Sequence, residues 1–230
     1  MPDYEKEKEL AARESLKYIR QGMTVGLGSG STAAHFVRLL GEKVLNGFKI
    51  QGIPTSVRTS VLAREHGIPL TDFSQKTRVD VTVDGADEID TALNLIKGGG
   101  GALLREKIVA TATEFLIIVA DSRKPVDVLG AFPLPVEVIP FGSELVAKQI
   151  KDLGAAVKPR MTATSQPFLT AQKNYIFDCR FEEIPDPETL SENLRRITGV
   201  VEHGLFVGLT NLVIVGRGDE TEILTAEGAS

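Results

Sequence analysis

The 230-residue chain contains one cysteine, three histidines and no tryptophan. Its single thiol, Cys179, excludes an intrachain disulfide, and an odd cysteine fits a reducing cytoplasm better than a secreted protein. Cys179 falls in an apolar segment with no histidine beside it, which reads as core rather than nucleophile. His35, His66 and His203 are too scattered to give the ligand spacing of a zinc site, so zinc held by imidazole ligands is not expected. No apolar run approaches the roughly 18 to 20 residues that cross a bilayer, and the charged opening MPDYEKEKELAARESLKYIR lacks the apolar stretch of a signal peptide. No membrane partner is expected. Basic residues are outnumbered, 26 against 31 acidic, and form no patch, so no nucleic-acid partner is expected either. Chemistry in this chain falls to carboxylates, lysines, hydroxyls and the backbone.

What is present is periodic. At about 150 residues per domain the length corresponds to ~1.5 domains. Asp3 stands as the N-cap of a helix running to about Gln21. A strand follows at 23–27, then a helix at 31–45, a strand at 48–53 and a helix at 57–66. Val79, Val81 and Val83 alternate as a strand, and Phe115 to Val119 is the continuous apolar run of a strand covered on both faces. This order predicts an α/β domain with a parallel sheet sandwiched by helices. Pro125, Pro133, Pro135 and Pro140 then crowd together, which sets a domain boundary near Ala131. Beyond it the pattern reads strand 136–139, helix 143–153, strands 156–160 and 175–179, helix 187–197 and a strand at 200–201. That is the βαββαβ order of a ferredoxin-like unit. Apolar strand patterns return at 205–209 and 212–215. A main domain of 1–130 and 205–230 carrying a smaller domain of 131–204 is therefore expected.

Four segments have the composition of ligand sites. Gly26-Leu27-Gly28-Ser29-Gly30-Ser31-Thr32 joins a strand end to a helix start, where alternate glycines admit close approach and the helix dipole favours an anion such as phosphate. It lacks the Gly-Lys-Ser/Thr of a Walker A loop and the third glycine of the dinucleotide fingerprint, and a plain turn capped by Ser31 is the alternative. Asp84-Gly85-Ala86-Asp87-Glu88-Ile89-Asp90 follows the Val79–Val83 strand, where a parallel sheet places its ligand crevice. Four acids in seven residues suit a solvated turn, a cation site or a shared proton, and the spacing is not that of an EF-hand.

The third segment, Lys97-Gly98-Gly99-Gly100-Gly101, is the strongest signal. Four consecutive glycines are entropically costly to order unless backbone must wrap a ligand. In the helix that follows, Arg105, Glu106 and Lys107 interrupt an otherwise apolar sequence. Successive residues turn by about 100°, so the three cannot share one solvated face. Glu106 has Ala102, Leu103, Val109 and Ala110 around it, and a carboxylate so enclosed is suited to act as a general base; a simple pair with Lys107 is the alternative. The fourth segment, Asp121-Ser122-Arg123-Lys124, brings cations and a hydroxyl to another strand end.

In this order GLGSGSTA, DGADEID, KGGGGALLREK and ADSRK resemble the type A ribose-5-phosphate isomerases, and Pro135-Val136-Glu137-Val138 with Gly199-Val200-Val201-Glu202-His203-Gly204-Leu205-Phe206 extends the match. The resemblance implies a Rossmann-like domain with a smaller ferredoxin-like α+β domain. It also implies interconversion of ribose 5-phosphate and ribulose 5-phosphate in the cytoplasm, by a homodimer or homotetramer without metal or cofactor. Glu106 is implied as the proton acceptor, with Asp84, Asp87 and Lys97 completing the catalytic group. Ser29, Gly30, Ser31, Thr32, Asp84, Gly85, Ala86, Asp87, Lys97, Gly98, Gly99, Gly100 and Lys124 are implied as substrate contacts, with Lys8 a further phosphate-side match. Three departures stand out: Ser29 for the usual Thr, Leu104 for a Thr, and Thr170-Ala171-Gln172-Lys173-Asn174 for a Thr-Asp-Asn-Gly-Asn turn. A CoA-transferase or sugar-phosphate deaminase of related fold would use other acids, and a sugar-phosphate sensor would have no need of Glu106.

Overall fold

The computed structural model describes residues 2–225. In chain order its elements are α1 (Tyr4–Ser15), β1 (Thr24–Leu27), α2 (Ser31–Leu45), β2 (Gln51–Pro54), α3 (Val57–Glu65), β3 (Val79–Asp84), β4 (Glu88–Ile89), β5 (Leu95–Ile96), α4 (Leu103–Thr111) and β6 (Thr113–Asp121). Then come β7 (Leu134–Val138), α5 (Ser143–Asp152), β8 (Ala156–Pro159), β9 (Tyr175–Arg180), α6 (Pro187–Arg195), β10 (Val200–His203), β11 (Leu205–Phe206), β12 (Leu212–Arg217) and β13 (Glu220–Leu224). Side-chain oxygens start three of the helices as expected for N-caps: Asp3 accepts from Lys6 N–H at 3.2 Å, Ser56 from Thr59 at 3.1 Å and Asp186 from Thr189 at 3.0 Å, the last with proline in the first turn. α1 is shorter than the sequence pattern suggests. The chain tightens into a 3₁₀ turn at Leu16–Tyr18 and leaves it extended at Ile19, which buries both Leu16 and Ile19.

The residues form two compact units. One comprises the chain up to Ala86, Arg105–Pro125 and the chain from Gly208; the other comprises Asp87–Leu104 and Val126–Val207. The sequence pattern groups 87–104 with the main domain and draws the boundary near Ala131, whereas backbone pairing assigns these residues otherwise. β5 pairs antiparallel with both β4 and β11, and Val126 N–H donates to Ile89 C=O at 2.8 Å. The end of the expected main domain, 226–230, lies outside the described residues.

In the first unit the six strands run in the order β13-β12-β6-β3-β1-β2. All neighbours are parallel except β13, which pairs antiparallel with β12. Val25, Leu27, Val81, Val83, Ile117, Val119, Leu212 and Ile214 form one core with Ala11 and Ala12 of α1 and Phe36, Val37 and Leu40 of α2. Leu116, Ile118, Val213 and Val215 alternate with them and are equally buried, so the central strands are covered on both faces, as their unbroken apolar runs require. The chain leaves β1 toward β2 on one side, then returns to lay β3 on the other. That reversal is a topological switch point, and the region beyond the carboxyl ends of β1 and β3 is where open α/β sheets place their ligand crevice.

The second unit holds a four-stranded antiparallel sheet in the order β10-β7-β9-β8, with α5 and α6 as its helices. β9 lies between β7 and β8, which is the split βαβ arrangement of the ferredoxin-like fold. Its core gathers Val136, Val138, Phe177 and Cys179 from the strands, Val146 and Ile150 from α5 and Leu194 from α6. Cys179 is fully buried, and burial, reinforced by the neighbouring Asp178 charge, pushes its thiol up to about 12. Such a thiol is inert core, as its sequence context suggests.

Candidate active site

Within the first unit the switch point is built by two close glycine contacts, one glycine turn and one carboxylate. A Cβ on Gly26 would lie 1.9 Å from Thr82 Oγ1, and one on Gly28 would lie 2.3 Å from Asp84 Oδ1 and 2.5 Å from its Cα. Only glycine therefore lets the end of β1 pass this close to β3. Gly30, at φ +95°, turns the chain into α2 and is its N-cap, so Ser31 is the first helical residue and not the cap. Asp84 is buried, and its Oδ1 accepts from Ser29 N–H at 2.9 Å and from Gly85 N–H at 2.7 Å. The Ser29 hydroxyl is held by Thr55 at 2.7 Å and Thr59 at 3.2 Å, while Thr59 donates to Gly28 C=O at 2.9 Å. Thr55 and Thr59 are thus the layer that orients the loop, which no local motif reveals.

Two further expected residues of this unit have defined settings. Glu106 lies in the first turn of α4 and is buried, as is Lys107. Lys124 ends the loop after β6, and its N–H donates to Asp121 C=O at 3.2 Å. That loop is held from α1: Glu7, 2% exposed, accepts from Ser122 N–H at 2.9 Å and from Gly218 N–H at 3.0 Å. Burial acts to raise the Glu7 carboxyl, but the Gly218 and Ser122 donors outweigh it and hold the group below its ordinary value. Asp121 behaves similarly; burial is overcome by the Arg123 guanidinium, which itself stacks on Tyr4 at 3.8 Å. Lys8, also buried, pairs with Glu5 at 2.6 Å.

In the second unit β4 and β5 pair through Glu88↔Ile96 and Ile89↔Leu95, with Asp87 immediately before β4 and Lys97 immediately after β5. Asp87 N–H donates to Ile96 C=O at 2.8 Å, and Lys97 N–H donates to Gly204 C=O at 2.9 Å. Gly204 is needed there, since a Cβ would lie 2.2 Å from Lys97 O. Lys97 is 3% exposed, with its ammonium 5.5 Å from the Phe206 ring centroid, within cation–π range. The glycine loop leaves Lys97 with Gly98 at φ +100° and Gly101 at φ +79°, and Gly99 N–H donates to Asp87 Oδ2 at 2.8 Å.

The crowded acids of 84–90 are not a cluster. Asp84 is held by Ser29 and Gly85, Asp87 by Gly99, Glu88 by the N–H groups of Gly130 and Phe132, and Asp90 by Ala92 and Asn94. Each carboxylate has its own backbone donors, which is how four acids coexist in seven residues. Among the described residues no group of three or more His, Cys, Asp or Glu side chains is placed to hold a metal ion. The altered turn at 170–174 is held at its ends, because Glu137, 1% exposed, accepts from Thr170 Oγ1 and from Asn174 Nδ2, both at 2.8 Å. Lys173, where the resembled pattern has glycine, takes φ +66°.

A doubly wound α/β unit with a glycine turn and a buried carboxylate at the switch point of its parallel sheet has the architecture of a small-molecule-binding protein. Residues 51–220 match the family model described as ribose 5-phosphate isomerase A (phosphoriboisomerase A). A ribose-5-phosphate isomerase A of Parvibaculum lavamentivorans is 52% identical over 96% of this chain and 98% of its own length, and one of Sinorhizobium fredii is 50% identical over 94% and 96%. Among solved structures, a D-ribose-5-phosphate isomerase in complex with phospho-erythronic acid superposes with a TM-score of 0.94 at 41% identity, covering 97% of this chain and 99% of that one. Ribose 5-phosphate isomerase A from Methanocaldococcus jannaschii gives 0.91 at 37% identity, covering 95% and 97%. The chain belongs to the ribose 5-phosphate isomerase A family.

Proposed function

We propose that this protein interconverts D-ribose 5-phosphate and D-ribulose 5-phosphate in the cytoplasm, as a homodimer or homotetramer, by metal-independent proton transfer through an enediolate. The observation that carries the reading is the family match over 51–220, which includes Asp84, Asp87, Lys97, the glycine loop and Glu106. The substrate furanose first opens, with Asp84 or Asp87 exchanging the proton between the ring oxygen and the anomeric hydroxyl. Glu106 takes the proton from C2 of the open aldose. The C1=C2 bond forms and the C1 oxygen becomes an oxyanion, stabilised by the Lys97 ammonium and N–H groups of the glycine loop. A proton passes from O2 to O1, Glu106 returns its proton to C1, and the ketose results. Ser29 to Thr32 and Lys124 supply donors for the phosphate.

Support for the intermediate comes from the chemistry of phospho-erythronic acid, bound in one related structure. It is a phosphorylated sugar acid whose planar, anionic carboxylate has the shape and charge of an enediolate. The deciding experiment measures conversion of ribose 5-phosphate in the presence of EDTA for the wild type and for Glu106→Gln. Wild-type activity should persist under EDTA, and the variant should fall by about 10²–10⁴-fold, the usual contribution of a general base. An inactive wild type would end the functional reading, a near-normal Glu106→Gln would end the assignment of the base, and loss on chelation alone would end metal independence.

A further inference from the structure

Arg160 follows β8 and lies outside the set of residues given a part in the reaction. Its guanidinium is spoken for on every side. Nε donates to Asp178 Oδ2 at 3.0 Å and Nη2 to Asp178 Oδ1, a two-bond grip that fixes the plane of the group. Nη1 then donates to Gly98 C=O at 2.9 Å and to Gly99 C=O at 3.1 Å. The guanidinium carbon lies 5.9 Å from the Phe168 ring, and Phe168 occupies the space where a Cβ on Gly101 would sit, 2.6 Å from its Cζ. One side chain therefore holds two successive carbonyls of a loop whose glycines have little conformational preference of their own.

The consequence follows from peptide planarity. In a trans peptide the C=O and the next N–H point in opposite directions. The Gly98–Gly99 peptide has its C=O on Arg160 and its N–H on Asp87 Oδ2, so it is clamped at both ends. The Gly99–Gly100 peptide has its C=O on the same guanidinium, which turns the Gly100 N–H away from Arg160. The space around Gly100 is open, and a Cβ added there would meet no atom within 4 Å.

We propose that Arg160 is a positioning residue for the isomerase reaction: by holding the Gly98 and Gly99 carbonyls it aims the Gly100 N–H at the oxygen on which negative charge develops. The proposal rests on the function proposed above, and it names the residue that makes the glycine loop a preorganised donor. Lysine cannot replace it, because a single ammonium cannot grip Asp178 and reach two carbonyls in one plane.

The test compares wild type, Arg160→Lys and Arg160→Ala by three measurements: kcat and KM for ribose 5-phosphate, amide hydrogen exchange of residues 99–101 without substrate, and rescue of Arg160→Ala by millimolar guanidinium. Arg160→Lys keeps a charge and an aliphatic stem, so it serves if the alanine variant does not fold. Both variants should lose about 10²-fold in kcat, the scale of a donor misplaced by about 1 Å, with KM within about threefold. Loop exchange should rise at least about tenfold, and guanidinium should restore part of kcat to Arg160→Ala alone. Unchanged exchange in both variants would overturn the pinning. Faster exchange with kcat near wild type would overturn the link to catalysis. Exchange is read without substrate, so an inactive wild type, which would defeat the functional reading itself, is distinguishable from either result.

Discussion

Gly99 N–H donates to Asp87 Oδ2 at 2.8 Å, tying the glycine loop to the carboxylate that immediately precedes β4. Asp87→Asn leaves an oxygen to accept this bond but removes the charge, whereas Asp87→Ala removes both. Exchange of the Gly99 amide should stay slow in the asparagine variant and rise in the alanine variant. Activity should fall in both, by about 10- to 100-fold if the charge supplies the 1.5–3 kcal/mol of an ionic hydrogen bond. Equal exchange in the two variants would contradict the holding role.

The four loop glycines should respond differently to alanine. Gly101 needs φ +79° and meets Phe168, so Gly101→Ala should lower the unfolding free energy by about 2 kcal/mol or more. Gly100 has no positive φ and open space around it, so Gly100→Ala should be neutral or up to about 1 kcal/mol stabilising in urea unfolding. Under the proposed mechanism its kcat/KM should nevertheless fall, since the added methyl would enter the space in which the Gly100 N–H meets substrate. A fully active Gly100→Ala would show that substrate does not approach there.

Lys173 at φ +66° bears a conformation that L-residues pay to adopt. Replacing it with glycine removes that strain while adding freedom to the unfolded chain, for a net gain of about 0.5–1 kcal/mol. Denaturant titration should show a higher midpoint at unchanged slope, with isomerase activity retained.

Glu7 makes a prediction about pH. Its folded carboxyl lies below the ordinary value of 4.5, so its contribution is fully present above that value and is lost as pH falls through the lower, folded value. Glu7→Gln should therefore unfold at a lower urea concentration than wild type at pH 7, and the gap should close as the solution is acidified below about pH 4. A gap that is constant from pH 7 to pH 3 would assign the effect to packing rather than charge.

Most of the parallel sheet was legible because its strands carry their own signal: the Val79, Val81, Val83 alternation and the apolar run of β6 need no partner to be recognised. The βαββαβ order of the second unit was equally readable from segment lengths. The small sheet was legible only in β11, whose Leu205 and Phe206 fall in the expected 205–209 strand. β4 and β5 are two residues each, too short for any period, and they are defined only by pairing with each other and with β11. Residues 87–104 consequently read as part of the first domain. Ser29, Asp84, Gly98 and Gly99 announce themselves by composition, but Arg160 lies 62 residues from Gly98 and Glu137 lies 33 from Thr170. Contacts of that separation leave no local mark, which is why the residues that hold the loops were invisible while the loops were plain.

The separate donors of the four acids between Asp84 and Asp90 bear on how this segment tolerates change. A substitution at one of them releases a single hold and leaves the other three in place. Adding or deleting one residue between Asp87 and Asp90 instead slides the carboxylates beyond the change past their donors, so more than one of Gly99, Gly130 and Asn94 loses its counterpart at once. The stretch is thus constrained in length as well as in chemistry.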